Sequence, residues 1–342
     1  MNVLLCLSHS IEEYDQLRLL HSLGYGVASI GGYIDPAHPH DDKRPALPEI
    51  PMVAAVKAAV DGLGTPDNLG VAQSRLPDPI LEWLGDDGAI VYHHHLYRLF
   101  GQWRHVEDWL RGSSRRRVIW RTVGQSLRNN ELEAAPFRDR GLEIVRYSPK
   151  ERSIPGYAGE DALIRFYKDP ADWEGWMGDE PVVLNIAQHD ATPHARDQWL
   201  NWGFWEAATD GLPAVFAGPH TEKIGGLGTL SLDEMQTWLR RARCYLYTGT
   251  QPASYTLGLI EAMMAGIPVV SIGPGSMWFP DLFEGHEIVG NWYDDPAKAR
   301  ESLRTLLEVP HIAAKIGAEQ HAHALALFGR DTIAAQWREF LG

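Results

Sequence analysis

The 342-residue sequence is poor in cysteine, in long apolar runs and in positive charge, and each shortage removes a class of protein. Its two cysteines, Cys6 and Cys244, sit in apolar strand-like runs. They read as buried structural thiols, not as a disulfide scaffold, and point to a cytoplasmic chain. No apolar run approaches the length of a bilayer span, so stable membrane insertion is not expected. The opening MNVLLCLSHSIEEYD turns polar and acidic too early for a secretory signal and reads as a first strand. Against 45 Asp and Glu there are 31 Lys and Arg, a net charge of −14. That balance argues against a broad footprint for nucleic acid or anionic lipid. One dense cationic stretch remains, RGSSRRRVIWR (111–121). Its simplest reading is a solvated helix end leading into a strand.

What is present is an ordinary globular composition, 44% hydrophobic and 22% charged, in a chain too long for one core. Short β-rich runs alternate with helical patterns. NVLLCL (2–7), YGVASIG (25–31), DGAIVYHH (87–94), RRVIWRTVG (116–124) and LEIVRYSP (142–149) read as strands. PVVLNIAQ (181–188), PAVFAGP (213–219), CYLYTG (244–249) and IPVVSIG (267–273) continue the series. Between them, Leu17, Leu20 and Leu23 recur at helical spacing before Gly24, and SLDEMQTWLRRA carries Ser231 and Glu234 as a capping box. Strands alternating with helices imply parallel sheets covered on both faces. The stretch 156–181, weakly periodic and rich in Gly, reads as the connection between two doubly wound α/β domains. The expected boundaries are 1–165, 166–320, and a C-terminal helix over 321–342 that packs back on the first domain.

The chemistry concentrates in YTGTQPASYTLGLIEAMMAGIPVVSIGPG (247–275). Ligands of such sheets bind beyond the strand C-termini, against helix N-termini. A helix starting near Ser254 to Thr256 offers unpartnered amides and the positive end of its dipole to a diphosphate. Glu261 lies about 7.5 Å further along the axis at 1.5 Å per residue, an offset that suits a carboxylate reading sugar hydroxyls. On local pattern alone Glu261 is equally the solvent-facing residue of an amphipathic helix.

The segment PASYTLGLIEAMMAGIPVVSIGPG resembles the donor-binding segment of the retaining GT-B glycosyltransferases of family 4. Their usual form is Pro-x-Glu-Gly-Phe-Gly, three residues, then Glu-Ala-x-Ala-x-Gly-x-Pro-Val-Val. The match covers about residues 181–309 and is loose before them. The resemblance implies a GT-B fold, two Rossmann-like domains facing across a cleft, with a nucleotide-sugar bound by the second. A UDP- or GDP-sugar would be the donor, as substrate, with no cofactor and no metal. Glu261 would bind the ribose, and the backbone of Tyr255, Thr256 and Leu257, with Ser254 beside them, would hold the diphosphate. Two departures stand out. Ala253 occupies the place of the first acid of the family's Glu pair, and Ser254-Tyr255-Thr256 replaces Gly-x-Gly. The family's Arg and Lys after the first strand of the domain are also missing. Arg196 is the best candidate for neutralising the leaving diphosphate, with His189 second.

In the first domain the loop after the first strand places Ser8, His9 and Ser10 where an acceptor or sugar would lie. His93, His94 and His95 end a strand; successive side chains alternate faces, so the three cannot share one zinc ion. Family members carry a histidine near the transferred sugar at about this place, which marks His93 and His94. Gly124 ends another strand and would allow close approach of a ligand. The resulting expectation is sugar transfer to an acceptor hydroxyl, with retention, by front-face substitution. The acceptor would be a glycan, a small metabolite or a hydroxymethylated DNA base. A non-catalytic sugar-nucleotide or glycan-binding protein on the same scaffold is the alternative, kept open by Ala253. An epimerase or phosphorylase-like enzyme on the same two-domain plan ranks last, since no lysine is placed for a pyridoxal group.

Overall fold

The structure is a computed structural model that describes residues 1–6, 10–30, 44–63, 75–93, 97–124, 128–186, 200–249, 255–273, 282 and 291–342. The chain divides into two units, Met1–Tyr167 with Ile333–Gly342, and Lys168–Thr332.

In the first unit, β1 (Asn2–Cys6), β2 (Gly26–Ser29), β3 (Ala89–His93), β4 (Arg117–Arg121), β5 (Leu142–Arg146) and the two-residue β6 (Ala162–Leu163) form one sheet. Its order is β2-β1-β3-β4-β5-β6, and every neighbouring pair is parallel. Helices α1 (Ser10–Ser22), α2 (Ala54–Asp61), α3 (Asp78–Leu84), α4 (Tyr97–Arg111) and α5 (Arg128–Arg138) accompany it. Alternate strand residues feed two separate cores. Val3, Leu5, Val91, Ile119 and Val145 pack with Leu17 and Leu20 of α1 and with Ile333 and Trp337. Leu4, Cys6, Ile90, Tyr92, Val118 and Trp120 pack with Trp103 and Val106 of α4. Because both faces are buried, the strands read as continuous apolar runs instead of alternating ones.

The second unit holds β7 (Glu180–Ile186), β8 (Ala214–Ala217), β9 (Ala242–Tyr247), β10 (Val269–Ile272) and β11 (Trp292–Tyr293), ordered β11-β10-β9-β7-β8 and all parallel. β9 begins two residues before the CYLYTG run because Ala242 pairs with Glu180 across an irregularity in β7. The helices are α6 (Pro170–Trp173), α7 (Trp202–Thr209), α8 (Leu232–Arg241), α9 (Leu257–Ala265), α10 (Pro296–Glu308), α11 (Pro310–Phe328) and α12 (Arg330–Leu341). The cap of α8 forms as its sequence requires: Ser231 accepts from the Glu234 amide, and the Glu234 carboxylate accepts from the Ser231 amide. Residues Ile333 onward in α12 belong to the first unit. Among the described residues no helix is long and apolar enough to cross a membrane.

α9 is buried on nearly all sides and is held at its C-terminus by α11. Gly266 takes the left-handed conformation (φ 84°) that stops α9. Gly317 of α11 lies so close to the Gly266 carbonyl that a Cβ there would clash. Gln320 bonds both the amide and the carbonyl of Val269 at 2.6 and 2.9 Å.

Both sheets follow one winding rule. The second strand of each unit lies at an edge, so the order reverses between β1 and β3 and again between β7 and β9. In open parallel sheets such a reversal leaves a crevice at the strand C-termini, which is where ligands bind.

Candidate active site

At the second unit's reversal, polar side chains tie the strand ends together. Asn185, near the end of β7, donates to the Leu246 carbonyl at 2.6 Å and approaches Thr248 Oγ1 at 3.4 Å. Asn201 donates to the Thr248 carbonyl at 2.7 Å while holding a left-handed backbone (φ 50°) just before α7. Tyr245 sits between the amide and carbonyl of Ile186, at 3.3 and 3.2 Å. Burial pushes the phenols of Tyr245 and Tyr247 well above the usual tyrosine range, so both stay neutral.

The helix after β9 faces this edge. Thr256 is its N-cap, with its hydroxyl accepting from the Leu259 amide at 3.4 Å. The Thr256 amide donates to Tyr247 Oη at 3.1 Å. Helix geometry leaves the amides of Leu257 and Gly258 without intrahelical acceptors, at the positive end of the dipole. The Thr256 hydroxyl, already an acceptor, keeps its own proton to donate. Glu261 stands five residues past the cap and is buried, which removes its solvent-facing reading. Its Oε1 lies 2.6 Å from Nζ of Lys168.

At the first unit's reversal, His93 ends β3 and is buried. Its Nε2 lies 2.6 Å from Gln16 Oε1 on α1. With the Gln16 oxygen as acceptor, Nε2 is the donor of this pair. Arg121, the last residue of β4, is fully buried and donates to the carbonyls of Arg146, Ile164 and Arg165, with Glu12 at 3.4 Å. Arg146 makes a bidentate pair with Glu131 at 2.6 and 2.7 Å and adds the Gly159 carbonyl, so this cation is saturated from within. Gly124 has φ 77°, a conformation that by itself calls for glycine.

Three arginines of the cationic stretch 111–121 pair with carboxylates from α4, the turn before β3, and β5. Arg111 pairs with Glu107 at 2.7 Å, Arg116 with Asp86 at 2.8 Å, and Arg117 with both oxygens of Glu143 at 2.8 and 3.1 Å. Arg116 also covers the Trp109 ring at 5.2 Å.

No curated protein matches the sequence. Residues 198–339 match the family described as Glycosyl transferase-like. Solved structures match more widely. Anabaena Alr3699/HepE in complex with UDP-glucose is 14% identical with a TM-score of 0.64, over 100% of this chain and 99% of that one. An alpha-glucosyltransferase in complex with UDP-glucose and DNA containing an abasic site is 9% identical with a TM-score of 0.61, over 100% and 99%. TarM of S. aureus is 12% identical with a TM-score of 0.56 over 80% of this chain, which spans 58% of the TarM chain. The fold is that of the GT-B glycosyltransferases.

Within this GT-B fold the expected site residues fall into three groups. Glu261, Tyr255, Thr256 and Leu257 come together at the start of α9. Tyr255 is buried against Phe328, ring centroids 5.6 Å apart. The Thr256 amide, expected to face an anion, donates to Tyr247 Oη, and the amides of Leu257 and Gly258 follow it at the helix start. His93 and Gly124 belong to the first unit, as does Ser10, whose backbone opens α1. Ser8, His9, His94, His95, His189, Arg196, Ala253 and Ser254 lie outside the described residues. Three participants escape sequence reasoning: Lys168, Tyr247 and Gln16. Each meets its partner only through the fold, Lys168 and Glu261 being 93 positions apart and Gln16 and His93 77.

Proposed function

We propose that the protein transfers a sugar from a nucleotide-sugar donor to an acceptor hydroxyl with retention of configuration. The observation that carries this reading is Glu261, a buried carboxylate five residues beyond the cap of the helix that follows β9 at the sheet reversal. Its segment falls inside the match to the Glycosyl transferase-like family. The diphosphate would lie against the amides of Leu257 and Gly258 and the hydroxyl of Thr256, with the backbone near Tyr255 and Ser254 alongside. The ribose hydroxyls would then donate to Glu261. A uridine nucleotide is the favoured donor, in keeping with the UDP-glucose bound in HepE. Arg196, or His189, would take the negative charge that grows on the leaving phosphate.

The bond between the anomeric carbon and the β-phosphate oxygen breaks as the bond to the acceptor oxygen forms on the same face. The acceptor proton passes to the departing phosphate. Catalysis is then positioning and electrostatics. His93 and His94, with Ser8, His9, Ser10 and Gly124, are assigned to the sugar and acceptor. A glycan or small metabolite is favoured as acceptor over DNA, because the arginines at 111, 116 and 117 already have carboxylate partners. One observation favours a second reading, a sugar-nucleotide-binding protein without turnover: Ala253 stands where the resemblance calls for an acid.

A panel of sugar nucleotides, UDP-glucose among them, tests both. Donor turnover with the wild type and donor binding weakened about tenfold or more in Glu261→Ala are the expected results. Unchanged donor affinity in a folded Glu261→Ala protein removes the donor assignment. Binding without turnover across a broad acceptor panel selects the second reading.

A further inference from the structure

Lys168 opens the second unit, outside every motif of the sequence, yet its ammonium lies 2.6 Å from Glu261 Oε1 with side chains 0% and 3% exposed. Its backbone is fixed too. The Lys168 amide donates to the Phe328 carbonyl at 3.2 Å, and the Phe328 ring packs on Tyr255, the residue that leads into the Thr256 cap. Trp173 of α6 places its ring 5.8 Å from the ammonium, and α6 packs against α9. One residue thus reaches both ends of the donor-facing turn: the cap by way of Phe328 and Tyr255, the carboxylate by way of its side chain. A carboxylate this deeply buried needs a counter-charge. A pair needed only for packing asks for no such arrangement, since apolar residues of similar volume serve as well or better.

We propose that Lys168 is a positioning residue for the nucleotide: it aims the Glu261 carboxylate at the ribose diol and so sets the preference for a ribonucleoside diphosphate over its 2′-deoxy counterpart. The proposal rests on the donor reading of Glu261 given above.

Titration calorimetry of the full chain with UDP and with 2′-deoxy-UDP tests it. The wild type is expected to prefer UDP by about tenfold, the worth of one hydrogen bond to a charged group. Lys168→Met is expected to bring that preference within about threefold while unfolding stays cooperative. A Lys168→Met protein that keeps the full preference, at whatever absolute affinity, overturns the role. Glu261→Gln separates the two levels. If that variant keeps the preference, the donor reading fails. If it loses the preference and Lys168→Met does not, only the positioning role fails. Should Lys168→Met not fold, the doubly neutral Lys168→Met/Glu261→Gln protein decides by comparison with Glu261→Gln alone. A residue that acts through Glu261 adds nothing once the carboxylate is gone, so equal UDP affinities are expected. A further loss of about tenfold in the double variant overturns the proposal.

Discussion

Glu107 is gripped by arginines from two elements, Arg111 one turn along α4 and Arg140 just past α5. The hydrogen bond from Arg140, with Arg111 beside it, holds the Glu107 carboxyl below the usual carboxylate range. A carboxyl depressed on folding contributes stability that is complete above its unfolded value, near 4.5, and is lost as pH falls through the lower folded value. The stability difference between wild type and Glu107→Gln in urea melts is therefore expected to hold steady from about pH 7 to pH 5 and to narrow below about pH 4.5. A difference that persisted unchanged at low pH would show that the arginines hold shape and not charge. Partners of this kind are legible in sequence when they are close along the chain. Arg111 and Glu107 are spaced as helix neighbours, whereas Arg140 and Lys168 give no hint of the carboxylates they meet. Glu261 is legible as a helix residue, but its burial and its lysine are not. The local pattern of LGLIEAMMAG fits a wet face and a dry one alike, and only the packing of α6 and α11 against α9 decides.

The strands are legible for a physical reason: burial on both faces writes an unbroken apolar run, and a run of five such residues is hard to place elsewhere. β6 and β11, of two residues each, leave no such trace and are defined only by their neighbours in the sheet. The α8 cap is legible because its hydrogen bonds are local; the contact of α11 with α9 is not. That contact has its own prediction. Gly317→Ala puts a methyl group against the Gly266 carbonyl, and overpacking of this kind costs about 1–3 kcal/mol. Denaturant melts are expected to show that loss, and nucleotide affinity to fall with it, because the strain is passed to the Gly266 end of α9. A stable Gly317→Ala protein with normal affinity would mean that α11 can give way without disturbing α9.

At the scale of the molecule the two units are unequal in their dependence on chain order. The second is one continuous stretch, Lys168–Thr332, while the first is closed by residues more than 160 positions away from the rest of it. Ile333, Trp337 and Leu341 of α12 are buried in a core with Val3, Leu5 and Val91, and Arg117 covers the Phe340 ring at 4.0 Å. Ending the chain at Thr332 removes that plug, and loss of a buried tryptophan alone costs about 3–5 kcal/mol. Hydrogen exchange followed by mass spectrometry is expected to show β1, β3 and β4 losing protection while β7, β9 and β10 keep theirs. Equal loss in both sheets would mean that the units do not unfold separately. A ribosome makes this protein from the amino end, and domains ordinarily fold in that order as they emerge. Here the first half to emerge is the last that can finish. The core around Val3 and Leu5 stays incomplete through the synthesis of a whole second domain, until Trp337 arrives to close it.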